Sequence, residues 1–229
     1  MQIAIMCAMK EEIQPLLEFF KDYETEDYAG NNYYKVKYKD TDIILAYSKI
    51  GKVFSTLTAT TMLQHFGCHT LLFSGVAGAI NPNLQIGDLI VASKLTQHDL
   101  DITAFGHPFG FVPEGTVFVN STPHLLQTAK NVALKNEINL KVGTIATGDQ
   151  FVADNKRREW IEKHFDADAL EMEGASVAVV CDAMKIPFLI LRAISDSADT
   201  DANFDFDEFL IKSSKKSADF LVKIVDEII

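Results

Sequence analysis

Three acids stand where apolar stretches of this chain give way to polar ones: Glu12 in "CAMKEE" (7–12), Glu173 in "DALEMEGASVAVV" (168–180) and Asp196 in "RAISDSAD" (192–199). Glu171 and Glu173 sit on either side of Met172, in a run otherwise small and apolar. Ionised carboxylates are seldom buried without a partner, because removing the charge from water is costly. Each acid has an ordinary reading. Glu11 and Glu12 suit the first turn of a helix beginning near Lys10, where the helix dipole favours negative charge. Asp196 suits a turn cap in "SDSAD". Glu173 resists such an account, because its surroundings read as closely packed.

Together the three describe a site with several carboxylates and no lysine, metal or nucleophilic thiol set against them. Such a set suits a reaction that passes through a cation. Cleavage of a glycosidic bond develops positive charge on the sugar, and hydrolases meet it with one acid and one base. A purine leaving group takes a proton on its ring while the attacking water loses one. In "GDQFVAD" (148–154) Phe151 adds an aromatic at a strand end, able to stack on a flat base. From the residues alone the expectation is an acid-rich hydrolytic pocket with an aromatic platform, its sugar unnamed.

Other chemistries fail on spacing. "SKIGKVFS" (48–55) offers Gly-Lys, but a phosphate-cradling loop needs glycine six residues before the lysine and Ser or Thr after it, where Ala46 and Val53 stand. No GxGxxG follows the first strand, and there is no GxSxG elbow. "QHDLD" (97–101) clusters His98, Asp99 and Asp101 without an HExxH or a second nearby histidine, so it is read as a polar strand end near a pocket and no metal is expected. Six histidines are scattered, and none carries a catalytic assignment.

These residues hang on an alternation of two kinds of segment. Continuous apolar runs predict buried strands at 3–8, 42–48, 70–78, 88–95, 142–149 and 187–196. Amphipathic stretches predict helices at 10–21, 52–67, 122–137, 155–165 and 206–229. In the last, Phe209, Leu210, Ile211, Phe220, Leu221, Ile224 and Ile228 form the expected apolar stripe, with lysines opposite. Strands of this kind alternating with helices imply an α/β fold whose sheet is covered on both faces. Sites in such folds gather at the carboxyl ends of strands, where "CAMKEE", "FSGVAG", "ATGDQFV" and "RAISDSAD" lie.

Composition bounds the rest. The 229 residues suit a single domain, 1–229, and 48% hydrophobic content suffices for a large core. Lys+Arg 21 against Asp+Glu 32 gives a net charge of −11, which repels a phosphate backbone, so nucleic acid is not an expected partner. "MQIAIMCAMKEE" turns acidic too early for a signal peptide, and no run approaches the roughly 20 apolar residues of a membrane span. Cys7, Cys68 and Cys181, odd in number and in apolar contexts, read as reduced core thiols of a cytoplasmic protein.

The motifs "AMKEE", "SKIGKV", "SGVAGA", "GDLIVAS", "HDLDITAFG", "ATGDQFV", "LEMEGASVA", "RAISDSAD" and "FDEFL" follow in an order and spacing that span the whole chain. In these the sequence resembles the bacterial 5′-methylthioadenosine/S-adenosylhomocysteine nucleosidases of the purine nucleoside phosphorylase and uridine phosphorylase superfamily. The resemblance implies one α/β domain with a mixed, barrel-like central sheet between helices, a homodimer, adenine nucleosides as substrates and no cofactor. It implies Glu12 as the base that activates water, Asp196 as the acid at adenine N7, and Glu173 with Met172 as the ribose contacts. It gives Glu171 no firm role, leaving a surface or structural partner as the expectation. Phe151 and the backbone of Val152 are implied as adenine platform and edge, Gly78 as a point of close backbone approach, and Arg192 and Ser195 as organisers of the acid and the water. Ile50 and Phe206 would line the 5′ pocket, completed by Ile102, Phe105 and Pro113 of a partner subunit.

Many relatives carry "GSAGG" where this chain reads "GVAGA", which puts Val76 at a serine position; a hydroxyl lost near the ribose and the water bears on nucleophile placement or on the 5′-group preference. Close variants with "YSKIGKV" and "FSGVAGA" include bacterial members that also cleave 6-amino-6-deoxyfutalosine, an intermediate of an alternative menaquinone route. Two alternatives stand beside hydrolysis. A purine nucleoside phosphorylase would use phosphate, yet glutamates beside a phosphate repel it and an arginine is the expected partner. A non-catalytic adenine-nucleoside sensor would be marked by loss of one of the three acids, and all are present.

Overall fold

A computed structural model describes residues 2–197 and 202–229, so the last two residues of "RAISDSAD" lie outside the described residues. Every predicted apolar run forms a strand: β1 (Gln2–Cys7), β4 (Thr41–Tyr47), β5 (Thr70–Ala79), β6 (Leu89–Gln97), β8 (Leu140–Thr147) and β10 (Phe188–Asp196). The predicted helices are α1 (Lys10–Phe20), α2 (Lys52–Gln64), α3 (Pro123–Lys135), α4 (Asn155–Phe165) and α6 (Ala202–Ile228). The expectation omitted a polar hairpin, β2 (Tyr23–Tyr28) and β3 (Asn31–Tyr38). It also omitted the short strands β7 (Val119–Asn120) and β9 (Ala169–Glu171), and the helix α5 (Gly174–Met184).

The strands form one mixed sheet in the order β10-β6-β8-β9-β5-β1-β4-β3-β2, with β10 also pairing β5. That last pairing closes β5, β10, β6, β8 and β9 into a five-stranded barrel, from which β1, β4, β3 and β2 extend as an open wing. The barrel mixes parallel ladders (β5–β10, β6–β8, β8–β9) with antiparallel ones (β6–β10, β5–β9).

Strand β5, buried at all ten residues, is the seam between barrel and wing. One edge pairs β10 along most of its length. Its other edge pairs β1 from Thr70 to Phe73 and then β9 at Gly78 and Ala79. A strand that changes partner part-way leaves a crevice at the switch, the usual location of sites in α/β sheets.

Alternating side chains of the central strands feed two cores. Ala4 and Met6 of β1, with Leu71 and Phe73 of β5, meet Ala59 and Met62 of α2 and Val177 and Cys181 of α5. Ile3, Ile5 and Cys7 point the other way, toward Ile13 and Leu16 of α1, Val132 of α3 and Leu221 and Ile224 of α6. The architecture is therefore three-layered, with α1, α3 and α6 on one face and α2 and α5 on the other. A third cluster, including Ile161 and Phe165, seats α4 against the barrel.

The stripe expected on α6 is corrected at Ile211, whose side chain is 74% exposed. The buried face runs instead through Ser213, Ser214 and Ser217, small enough to bring the helix onto β5 and β10. Ser213 Oγ donates to the Ile194 carbonyl at 2.9 Å, and the Ser217 and Ser74 hydroxyls meet at 2.8 Å. Among the described residues, no helix is long and apolar enough to cross a membrane. All three cysteines are buried thiols.

Candidate active site

Glu12 sits in the first turn of α1 and its carboxylate folds back over the helix start. Oε2 accepts from Ala8 N at 2.7 Å and Met9 N at 3.0 Å, while Oε1 accepts from Val76 N at 2.9 Å. The first two bonds satisfy amides that a helix N-terminus leaves open. The third comes from the stretch of β5 between its two edge partners. The helix-turn account of Glu12 and the site account thus describe the same carboxylate. Gly75 makes the approach possible, since a Cβ there would lie 2.6 Å from Glu12 Oε1. Burial pushes the Glu12 carboxyl above the usual range, against the pull of Arg192 and the three amides.

Glu171 and Glu173 divide their tasks. Glu171 is buried, and its Oε2 accepts from Arg192 Nη2 at 2.6 Å, Gly174 N at 2.7 Å and Glu173 N at 3.2 Å. Its Oε1 takes the Thr147 hydroxyl, whose oxygen in turn accepts from Ala175 N at 2.8 Å. Glu171 is therefore a structural partner, and its surroundings are the interior, not the surface. Arg192, 1% exposed, also donates to the carbonyls of Leu191 and Phe73 and lies over the Phe73 ring. Burial disfavours its charge, but Glu171, Glu12 and Glu173 more than offset that and hold its pKa up.

Glu173 stands at the N-terminus of α5. Its Oε1 accepts from Gly51 N, the residue before α2, at 2.8 Å. Burial, followed by the charge of Glu171, pushes its carboxyl up to about 8. Asp196 closes β10, buried, with Ser195 Oγ donating to its Oδ2 at 2.9 Å.

These carboxylates converge on a cavity of about 300 Å³ at the β5 switch. Val76, Ala77 and Gly78 form its floor, and Glu12, Glu173 and Asp196 reach it from α1, the start of α5 and the end of β10. No lysine, arginine or histidine lines it among the described residues. Phe151 and Phe206 meet edge to face at its mouth, with ring centroids 5.5 Å apart.

The family model of the phosphorylase superfamily matches residues 2–226. The chain belongs to the phosphorylase superfamily. Within that superfamily it is 56% identical over 228 residues to the aminodeoxyfutalosine nucleosidase of Campylobacter jejuni, covering 100% of both chains. It is 36% identical to the 5′-methylthioadenosine/S-adenosylhomocysteine nucleosidase of Staphylococcus carnosus, covering 97% of this chain and 98% of the other. The solved futalosine hydrolase of Helicobacter pylori superposes with a TM-score of 0.98 at 51% identity, covering 99% of this chain and 97% of that one.

In this superfamily member the cavity wall also brings together Ile50, Val152, Met172 and Ser195 from the sequence expectations. Arg192 lies behind the wall and reaches the cavity only through Glu171. Ile102, Phe105 and Pro113 do not line the cavity of their own chain. Phe105, 81% exposed on a short 3-10 turn, points into solvent. Sequence reasoning missed Ala8, Met9, Ala77, Gln150, Leu170 and Glu171 as wall residues. The first two adjoin "KEE", and their amides, not their side chains, hold Glu12, a contribution no side-chain signature carries.

Among the described residues no group of His, Cys, Asp and Glu is arranged to hold a metal ion. "QHDLD" lies outside the cavity wall, with Asp99 paired to Lys52 at 2.7 Å and His98 beside Arg157.

Proposed function

We propose that this chain hydrolyses the N-glycosidic bond of 5′-substituted adenosines: 5′-methylthioadenosine, S-adenosylhomocysteine, 5′-deoxyadenosine and 6-amino-6-deoxyfutalosine. The observation that carries this reading is a cavity walled by carboxylates with no cationic side chain at its surface among the described residues. Among the described wall residues a phosphate dianion finds no counter-charge, while a water molecule finds acceptors and a developing sugar cation finds negative charge. The names of the relatives above support the same reaction, and that of the Campylobacter jejuni relative supports the futalosine-type substrate.

The geometry supports the following mechanism. Glu12 Oε1 has one amide donor, from Val76, which leaves it a lone pair for a water proton. Its raised proton affinity suits a general base. As the C1′–N9 bond breaks, its electron pair passes to adenine, Asp196 gives a proton to N7, and positive charge spreads over C1′ and the ring oxygen. Glu173 accepts the ribose hydroxyls, and the cation forming beside it favours its carboxylate form. Water bonds to C1′ and gives its proton to Glu12, so adenine and a free 5-substituted ribose leave. Phe151 stacks on the base, Gly78 and the backbone of Val152 meet its edge, and Met172 packs on the sugar. Ser195 orients Asp196, and Arg192 acts through Glu171. Ile50 and Phe206 surround the 5′ group, and Val76 stands near the ribose and the water.

The single domain, 1–229, would work as a cytoplasmic homodimer. Exposed Ile50, just before α2, and Val53, Phe54 and Leu57 on it form an apolar face beside the cavity mouth, of the kind that marks interfaces. Pairing across it would bring the partner's Ile102, Phe105 and Pro113 to the 5′ pocket.

The test is chromatography of products from 5′-methylthioadenosine and, separately, 6-amino-6-deoxyfutalosine, with and without phosphate. Adenine and free sugar in both conditions are expected. A sugar 1-phosphate formed only with phosphate would overturn the role of Glu12, and binding without turnover would leave the sensor.

A further inference from the structure

The strand end "QHDLD" is tied to the site by a closed ring of hydrogen bonds. Lys52 Nζ donates to Asp99 Oδ1 at 2.7 Å and to Gln97 Oε1 at 3.2 Å. Asp99 Oδ2 accepts from Asp149 N at 2.8 Å, and Asp149 Oδ1 accepts from Lys52 N at 2.8 Å. The ring therefore joins the start of α2, the end of β6 and the loop after β8. Its ion pair is shielded, with side chains 20% and 17% exposed.

The chain neighbours of the ring are what it positions. Gly51, next to Lys52, gives its N–H to Glu173. Phe151 and Val152, just beyond Asp149, form the aromatic side of the cavity. Helix α2 has no side-chain cap of its own, because Gly51 stands at the cap with φ +100°. Its first two amides are satisfied by carboxylates from elsewhere, Glu173 and Asp149. A Cβ on Gly51 would lie 3.0 Å from Asp149 Oδ1, so the packing is close. None of Lys52, Asp99 and Asp149 lines the cavity.

We propose that Lys52 and Asp99 are positioning residues: the ring they close with Asp149 holds the Gly51 N–H on Glu173 and keeps Phe151 in register with it. The proposal rests on Glu173 and Phe151 being the ribose and base contacts.

The hydrogen bond from Gly51 favours the charged form of Glu173, as Arg192 does, whereas Glu171 and Glu12 oppose it. Around the ring the other ionisable groups are His98 and Arg157. Burial and the Arg157 charge push His98 down to about 4, so it stays neutral at ordinary pH. Loosening the ring therefore raises the pH at which Glu173 ionises.

The experiment follows kcat/KM for adenine release from 5′-methylthioadenosine between about pH 5 and pH 9 in wild type, Asp99→Asn, Lys52→Met and Lys52→Arg. In Asp99→Asn and Lys52→Met the acid limb moves up by about one pH unit, a loss of about tenfold on the limb that shrinks toward high pH. Lys52→Arg, which keeps the charge and donors, follows wild type. Unfolding that grows with pH lowers the alkaline end of the profile, so it cannot imitate an upward shift of the acid limb. A loss equal at all pH values, or none, overturns the proposal. A wild type that releases no adenine overturns the functional reading instead.

Discussion

Arg192 and Glu171 form a buried ion pair, Nη2 to Oε2 at 2.6 Å, with Glu171 in the cavity wall and Arg192 directly behind it. One guanidinium serves three carboxylates, because the charges of Glu12 and Glu173 also act on it. Pairing of this kind is costly to assemble and far costlier to halve.

Replacing Arg192 by Met should therefore destabilise the fold by about 3–5 kcal/mol, the range for a buried pair deprived of one partner. Urea denaturation would measure it. Adding Glu171→Gln to the Arg192→Met background should recover part of the loss, because a neutral amide oxygen still accepts from Gly174 N. No recovery would mean that the charge of Glu171 is not what Arg192 balances.

Glu12→Gln tests the base. Substrate binding should persist while turnover falls by about 10²-fold or more, the scale of a lost general base. Calorimetric binding beside steady-state rates separates the two effects. Near-normal turnover would remove Glu12 from the mechanism.

Gly75→Ala tests the same carboxylate without touching it. The added Cβ would sit 2.6 Å from Oε1 and 3.0 Å from Cδ, so the acid must move. Turnover should fall by about 10²-fold, as for a catalytic group displaced by an ångström. Unchanged turnover would show that Glu12 works equally well from a shifted position.

Stability should carry the mark of Glu173. Its carboxyl titrates near 4.5 when unfolded and is pushed up to about 8 when folded. Between those values the folded chain holds the extra proton, so the contribution is complete below about pH 4.5 and is lost as pH rises toward 8. Melting temperatures at both ends of that window should show a fall with rising pH that is smaller in Glu173→Gln. Equal slopes in the two proteins would contradict the burial of the charge.

The strands that build the barrel were legible because β5 opens on an apolar run at 71–73 and β10 on one at 188–191, the pattern of strands covered on both faces. The β2–β3 hairpin was not. "YETEDY" is polar along its length and its residues are largely exposed, so period and hydrophobicity gave no cue. Helix α5, "GASVAVVCDAM", is apolar nearly all round, without the one-sided stripe that announces a surface helix. Among site residues the acids stood out as charges in apolar company. The duty of Glu171 was hidden because its partners, Thr147 and Arg192, come from other strands. The barrel closure reached the sequence reading only through family likeness, since the pairing of β5 with β10 joins residues more than a hundred positions apart.

The hold on Glu12 has an evolutionary consequence. Its three anchors are the main-chain amides of Ala8, Met9 and Val76, which every residue except proline supplies. Natural selection can rewrite those side chains, all three at the cavity wall, without unseating the acid. Position 76 can thus exchange the hydroxyl of a serine for the two methyl groups of a valine while the main-chain hold on the Glu12 carboxylate is inherited intact.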